Sequence, residues 1–172
     1  TQTNAGTSDN TFTYTLNDNT KAENYEIRKE LGKLTVNPVT DEVIVKIKGN
    51  EKTETYDGTE KTVTGYTVVS ISNPLYAEGN ISFTGKAEAK GTNAGGYQMG
   101  LKKADFANTS TNFTNVKFEV EDGKLTVSPR EITLTSATAE KVYDGTALTN
   151  DTVTVTDGSF VTGEGAAYEV TG

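Results

Sequence analysis

The chain has 172 residues, a formal net charge of −8 at pH 7, and neither cysteine nor histidine. Because it lacks thiols and imidazoles, most catalytic and metal-binding arrangements are excluded, and we predict no enzyme activity, no catalytic residue, no cofactor and no metal site. Lysine and arginine are scattered, which argues against a nucleic-acid partner, and no apolar run reaches the ~18 residues of a membrane span.

Threonine, valine, isoleucine and tyrosine are the residue types that favour strands, so we predict an all-β chain. The first clear strand lies at residues 41–48, where apolar and polar side chains alternate. Its apolar face comprises Val43, Val45 and Ile47. Residues 62–72 are predicted to form a long strand with a bulge at Gly65.

Further strands are predicted at residues 80–85, 86–89 and 96–101, followed by one helical turn at residues 102–107. Residues 113–121 and 124–127 are predicted to form a hairpin across Asp122-Gly123, because Asp-Gly tolerates the positive φ of a type I′ turn. Together with the strands before them, these elements make about seven short strands.

Three sequence landmarks occur twice. Thr-Asn-Ala-Gly lies at residues 3–6 and 92–95, and Gly-Lys-Leu-Thr-Val-x-Pro at residues 32–38 and 123–129. Tyr-Asp-Gly-Thr lies at residues 56–59 and again at 143–146, an offset of 87 (143 − 56). A domain-sized period is typical of tandem arrays. We therefore predict the second half of a repeat module at residues 1–38, a complete module at residues 39–129 and the first half of a further module at residues 130–172.

These motifs, in this order and spacing, resemble the YDG/MBG-type repeats of bacterial cell-surface proteins over essentially the whole chain. The strand-like segment Asn112–Val120 belongs to the same pattern. The resemblance implies a β-rich repeat of large, usually wall-attached, adhesin-like or stalk proteins. It also implies an extracellular location, with any cell-wall anchor outside these residues, and it supplies no catalytic residue.

The predicted fold is a tandem of small Ig-like β-sandwich modules of ~90 residues. The helical turn at residues 102–107 leaves a β-grasp-like module as the alternative. Pro38 and Pro129 lie between modules, where proline restricts the backbone and allows little slack, so semi-rigid connections are expected.

The repeated turn motifs are predicted to have structural roles. The tyrosines would pack beside the turn, and the aspartates would accept hydrogen bonds from nearby backbone amides, as in Asx turns. The residues concerned are Tyr56, Asp57, Gly58, Tyr143, Asp144 and Gly145, together with Asn4, Gly6, Asn93 and Gly95 of the Asn-Ala-Gly turns.

Two chemical alternatives are weighed against these structural roles. Tyr66, Tyr76 and Tyr97 would form a stacking platform if the chain were a carbohydrate- or mucin-binding module. Lys46 or Lys48 would form an isopeptide bond with an asparagine beside a buried carboxyl group, although the residues at the offset of 87 from these lysines are threonines.

The predicted function is that of a non-catalytic stalk or adhesin segment, whose partners are neighbouring modules and, in an adhesive role, host or matrix glycans. A third reading is a self-assembling filament subunit. Half-modules expose sheet edges, so residues 130–172 of one molecule would complete residues 1–38 of another, head to tail.

Overall fold

The computed structural model describes residues 1–171, and within this range the chain forms fourteen strands, three short 3-10 helices and no α-helix. The predicted all-β class is confirmed. The helical turn predicted at residues 102–107 is the 3-10 helix Lys103–Asp105; the other two are Ala22–Asn24 and Glu78–Asn80. The strands are β1 (Gly6–Asn10), β2 (Gly32–Val36), β3 (Val43–Gly49), β4 (Glu51–Thr55), β5 (Lys61–Thr64), β6 (Tyr66–Ile71), β7 (Ile81–Phe83), β8 (Glu88–Gly91), β9 (Gly95–Gln98), β10 (Phe106–Asn108), β11 (Val116–Glu121), β12 (Lys124–Ser128), β13 (Thr133–Ser136) and β14 (Val153–Asp157).

The chain divides into two compact units, each assembled from three segments. The first unit comprises residues 1–48, 68–85 and 102–121. The second comprises residues 49–67, residues 86–101 and the chain from Asp122 onward. Each unit therefore combines part of the central stretch 39–129 with one end of the chain.

In the first unit, β3 and β11 pair in parallel, with Val43 opposite Val116 and Lys48 opposite Glu121. The antiparallel pairs β1–β2 and β7–β10 accompany them. The predicted alternation in β3 is confirmed, because its odd-numbered residues are buried while Lys46 is exposed. The core of this unit consists of Val43, Val45, Ile47, Tyr76, Phe106 and Phe113.

In the second unit, β12 lies between two partners, pairing in parallel with β4 and antiparallel with β9. The antiparallel pairs β5–β8 and β13–β14 complete its strands. Gly65 has φ +87°, and the predicted long strand at residues 62–72 is interrupted there into β5 and β6. The core of this unit consists of Val63, Ala89, Met99, Leu101, Leu125 and Val127.

The predicted hairpin across Asp122-Gly123 is wrong. Instead of pairing with each other, β11 and β12 each pair in parallel with a strand 73 residues earlier (116 − 43 and 124 − 51). The Asp122 carboxylate accepts hydrogen bonds from the amides of Gly100 (3.0 Å) and Leu101 (2.8 Å). These distant partners, which no local pattern reveals, override the turn preference of Asp-Gly.

Strand pairs of the central stretch recur at both ends of the chain. Gly6 lies opposite Val36 in β1–β2, as Gly95 lies opposite Val127 in β9–β12. In the C-terminal segment, Ala137 N–H donates to the Thr152 carbonyl at 2.9 Å. The equivalent bond 87 residues earlier runs from Asn50 to Gly65 at 3.1 Å.

Candidate functional site

The most distinctive local structures surround Pro38 and Pro129, where consecutive modules would meet. We call the first of these the first junction; it consists of residues 3–5, 36–39, 75 and 112–113, all within the first unit. The side chain of Asn112 forms a hydrogen bond with each residue of the Asn4-Ala5 pair. Ala5 N–H donates to Asn112 Oδ1 at 2.6 Å, and Asn112 Nδ2 donates to Asn4 Oδ1 at 3.1 Å.

The residue after Pro38 is held by the backbone of the same loop. Val39 N–H donates to the Asn112 carbonyl at 2.8 Å, and Thr114 N–H donates to the Val39 carbonyl at 3.0 Å. Val39 thereby forms an isolated parallel bridge with Phe113. The residue that follows the proline is therefore fixed through both its N–H and its carbonyl group.

A shallow cleft of about 250 Å³ lies in the first junction, lined mainly by apolar atoms. Phe113 is 5% exposed and packs edge-on against Tyr76, with ring centroids 5.2 Å apart. Leu75 forms the outer wall and is 78% exposed. The full lining comprises Thr3, Val36, Asn37, Val39, Leu75, Asn112 and Phe113.

The second junction occupies the corresponding place around Pro129, within the second unit. Its cleft of about 290 Å³ is lined by Tyr56, Asn93, Ala94, Pro129, Arg130, Ile132, Phe160, Val161 and Glu164. As in the first junction, residues flanking a proline line the cleft; here the Asn93-Ala94 pair lines it too, whereas Asn4 and Ala5 of the first junction lie beside its cleft and bind Asn112. The Arg130 guanidinium donates to Ser159 Oγ at 2.8 Å, which ties the start of the C-terminal segment to a later loop.

Tyr56 of the first Tyr-Asp-Gly-Thr motif lies in this second junction. Its hydroxyl donates a hydrogen bond to the carboxylate of Glu164. The pKa of Tyr56 is raised, chiefly because ionisation would remove this hydrogen bond and, to a smaller extent, because of burial and the charge of Glu164. Gly58 beside it has φ +82°, and a Cβ at that position would lie 2.6 Å from Val161 Cγ1.

The two Asp-Gly-Thr turns have the same hydrogen bonds. Asp57 Oδ1 accepts from the amide of Thr59 at 2.9 Å and from its hydroxyl at 2.6 Å. Asp144 Oδ1 accepts from the amide of Thr146 at 2.9 Å and from its hydroxyl at 2.8 Å. A carboxylate acting as a local acceptor in this way closes an Asx turn.

Each of these aspartates also binds a lysine. Lys61 follows Asp57 in sequence and binds it at 2.5 Å, whereas Lys141 precedes Asp144 and binds it at 2.8 Å. The pKa of both carboxyl groups is lowered, first by the lysine and then by the hydrogen bonds from threonine. Gly145 has φ +80°, close to the +82° of Gly58. Tyr143 is 93% exposed, so the prediction that this tyrosine packs beside its turn is wrong.

The Asn-Ala-Gly turns begin β1 and β9. Gly6 and Gly95 are the first residues of these strands, with φ of 144° and 155°. Asn93 lines the second junction, and its carbonyl accepts a hydrogen bond from the Tyr97 hydroxyl at 2.8 Å. Asn4 and Asn93 therefore both contribute to a junction.

The two candidate isopeptide lysines form surface ion pairs across the parallel strands. Lys46 lies 3.5 Å from Glu119, and Lys48 lies 2.7 Å from Glu121. Their side chains are 57% and 41% exposed, and Lys46 is on the outward-facing side of β3. These surroundings differ from the buried, carboxyl-assisted setting that an isopeptide bond requires.

The three candidate glycan-contact tyrosines differ in their environments. Tyr76 is 3% exposed, its hydroxyl donates to the Asn80 carbonyl and contacts Asn108 Oδ1, both at 3.0 Å, and burial raises its pKa. Tyr76 thus has no open ring face for a sugar. Tyr66 and Tyr97 are half-buried, and a glycan contact through them stays a prediction.

The sequence alone did not identify Asn112 or Glu164 as junction residues. Asn112 lies in a segment that reads as an ordinary polar loop, although Asn112–Val120 belongs to the repeat pattern. Glu164 has Ala77 as its counterpart at the offset of 87, so comparing the copies gives no signal for it. Both residues act through partners more than 100 positions away.

Residues 1–171 contain no group of three acidic side chains placed to hold a metal ion. No helix in the same range is long and apolar enough to cross a membrane. Comparisons with known proteins find no match among protein-family models, curated proteins or solved structures. The similarity to YDG/MBG-type repeats therefore stays a prediction.

Proposed function

We propose that this chain is a non-catalytic stalk segment of a bacterial surface protein, built from β-modules of ~90 residues that follow one another in tandem. Its role would be mechanical: to hold an adhesive or other distal domain away from the cell wall. The parallel strand pairs favour the β-grasp-like alternative over a sandwich made only of antiparallel sheets.

The observation that carries the proposal is the parallel pairing of the first and last strands of the central module. In the first unit β3 pairs with β11, and in the second β4 pairs with β12, both at the offset of 73 (116 − 43 and 124 − 51). In a stalk, tension enters before β3 and leaves after β12. Because the paired strands run in the same direction, this tension slides them past each other and loads their hydrogen bonds together.

The junctions support the same function. Val39 follows Pro38 directly and is bonded to Asn112 and Thr114. In the second junction, Tyr56 is bonded to Glu164 and Arg130 to Ser159. A connection held in this way transmits tension between modules without slack, unlike a flexible glycine- or serine-rich linker.

Single-molecule force spectroscopy tests the proposal by comparing two pulling directions on the same fold. The chain contains no cysteine, so handles attach only where cysteine is introduced. The pair Asp41→Cys and Glu131→Cys pulls along the parallel strands in opposite directions. The control pair, Asp41→Cys and Thr114→Cys, pulls apart the beginnings of β3 and β11 and breaks their hydrogen bonds one after another.

All three positions are exposed, so these substitutions should leave the core intact. We expect a severalfold higher unfolding force for the first pair, because it loads the hydrogen bonds between the parallel strands together, whereas the control pair breaks them one after another. Loading them together leaves a higher barrier for the applied force to lower, and that barrier governs forced unfolding. Equal forces in the two directions would contradict a mechanical role for the parallel strands.

A further inference from the structure

All four described strands of the end segments have a partner on one side only, and two of them, β2 and β13, differ in this from their counterparts in the central stretch. Among residues 1–171, β2 pairs with β1 alone and β13 with β14 alone. Their counterparts in the central stretch are flanked on both sides: β12 lies between β4 and β9, and β3 lies between β6 and β11. An edge of unpaired N–H and C=O groups recruits a further strand.

Exposure of apolar side chains is concentrated in the same two segments. Of the large apolar residues exposed in the described chain, all but Val69 and Leu75 lie in residues 1–38 or 130–172. Leu134 of β13 is 43% exposed, whereas Ile47, its counterpart at the offset of 87, is 2% exposed. Leu34 of β2 is half-buried, whereas Leu125, the matching residue of the repeated motif, is fully buried.

The strands that would cover these edges have counterparts in the chain itself. In the central stretch, β11 covers β3 and β4 covers β12. The segment matching β11 is residues 25–30, and the segment matching β4 is residues 138–142. Every residue of both segments is exposed and none belongs to a strand. The segments include Tyr25, Ile27 and Val142, which are 63%, 45% and 89% exposed.

We propose that these edges bind a second copy of this chain, head to tail. Residues 25–30 of one copy pair in parallel with residues 130–135 of the other, and residues 138–142 of that other copy pair in parallel with residues 33–37 of the first. The proposal rests on the repeat-module function proposed above and adds the register of pairing: residues 1–172 alone bind a second copy, and in a longer tandem array the adjacent module of the same chain would occupy the same edges in the same register.

The register follows from the central module. Gly32 matches Gly123, an offset of 91, and Tyr56 matches Tyr143, an offset of 87. Transferring the observed pairs Phe118–Val45 and Leu125–Lys52 with these offsets gives Ile27 opposite Ile132 and Leu34 opposite Ala139. The same transfer of Lys117–Ile44 places Glu26 opposite Glu131.

Disulfide cross-linking between two single-cysteine chains tests this register. One chain carries Leu34→Cys and the other carries Ala139→Cys; the cysteine-free parent has no background reaction. The control mixture pairs Ala139→Cys with Thr35→Cys, which lies on the opposite face of β2 because side chains alternate along a strand. We expect at least about tenfold more cross-linked heterodimer from the first mixture, because only that pair meets the geometry of a disulfide. Equal yields would overturn the register.

A chain carrying both Leu34→Cys and Ala139→Cys separates pairing between chains from closure within one chain. Oxidation is expected to give a ladder of linear oligomers. A cross-linked monomer as the main product would overturn the head-to-tail proposal.

The cysteine-free chain and a charge variant provide measurements that do not depend on Leu34. Sedimentation equilibrium of the natural sequence should show the average mass rising between about 1 μM and 1 mM, the range expected of modest interfaces. Glu131→Lys should strengthen association, since like charges directly opposite each other are destabilising; Glu169→Lys makes the same charge change outside the proposed pairing. A chain that stays monomeric throughout, while the two pulling directions still differ in unfolding force, would refute self-association and leave the stalk function standing.

Discussion

The hydroxyl of Tyr56 donates a hydrogen bond to the carboxylate of Glu164, which lies 108 positions later in the chain. This bond connects the first Tyr-Asp-Gly-Thr motif to a loop beyond the second. It also raises the pKa of Tyr56, which makes the second junction sensitive to alkaline pH.

We predict that Glu164→Ala lowers the pKa of Tyr56 toward the ordinary tyrosine value of about 10, because alanine removes both the hydrogen-bond acceptor and the charge. Because the folded-state pKa of Tyr56 is raised, the hydrogen bond stabilises the fold at pH values below the unfolded-state pKa. This stabilisation is lost as the pH rises through the folded-state pKa. Tyrosine ring NMR signals followed between pH 8 and 12 would give this pKa, and Tyr56→Phe would assign the signal. A Tyr56 titration curve identical in the parent and in Glu164→Ala would show that the hydrogen bond does not exist in solution.

The lowered pKa of Asp57 leads to a prediction at acid pH. Ionised Asp57 is stabilised by Lys61 and by the amide and hydroxyl of Thr59. Because its folded-state pKa is depressed, ionised Asp57 stabilises the fold at pH values above its unfolded-state pKa of about 3.9. This stabilisation is lost as the pH falls through the folded-state pKa. We therefore expect the urea midpoint of the parent to fall more between pH 5 and pH 2 than that of Asp57→Asn.

The control for this acid effect is Asp41→Asn, which replaces an exposed aspartate outside the turn motif. Its pH dependence should follow that of the parent. If Asp57→Asn and Asp41→Asn behaved alike, the Asp57 carboxylate would have no special role in the folded state.

Gly58 and Gly145 allow backbone strain to be separated from crowding. Both have φ near +80°, but a Cβ at Gly58 would lie 2.6 Å from Val161 Cγ1, while nothing lies within 4 Å of one at Gly145. Gly145→Ala should therefore cost about 1–2 kcal/mol of unfolding free energy through strain alone. Gly58→Ala should cost at least about 1 kcal/mol more, because it also overpacks the junction. Urea unfolding of the two variants measures the difference, and equal losses would mean that Val161 does not pack against Gly58.

Ile47 and Leu134 occupy equivalent positions, 87 residues apart (134 − 47), but differ in burial. Ile47 is 2% exposed and Leu134 is 43% exposed. Ile47→Ala should destabilise the chain by about 2–5 kcal/mol because it leaves a cavity, whereas Leu134→Ala should cost under about 1 kcal/mol in a dilute sample. Thermal unfolding at low micromolar concentration tests this pair; a large loss for Leu134→Ala would mean that β13 is covered within a single chain.

Local patterns predicted much of the secondary structure but little of the pairing. The alternation around Val45 gave the buried face of β3 correctly, since burial of every second residue is a local property of a strand. Gly65 was predicted to be a bulge within one long strand; it does interrupt the strand, but it lies between two separate strands, β5 and β6. The Asp-Gly rule failed at Asp122, because that carboxylate binds the amides of Gly100 and Leu101.

In the candidate site too, local features were predicted from the sequence and contacts between distant residues were not. The Asp57 and Asp144 turns lie where their motifs placed them, because an Asx turn is completed within three residues. Glu164 was missed, because its partner Tyr56 approaches only in the folded chain. Asn112 was missed for the same reason: the Asn-Ala pair that it binds is 107 positions away.

By itself, the sequence determined the all-β class, the two Asp-Gly-Thr turns and the inward face of β3. These depend on side-chain period and backbone preference over a few residues. Only the tertiary structure decided that β3 and β4 pair in parallel with β11 and β12, and that the two junctions are closed by Asn112 and Glu164. A strand edge accepts many partners that satisfy the same hydrogen bonds, so the choice among them depends on how all the apolar faces are buried together.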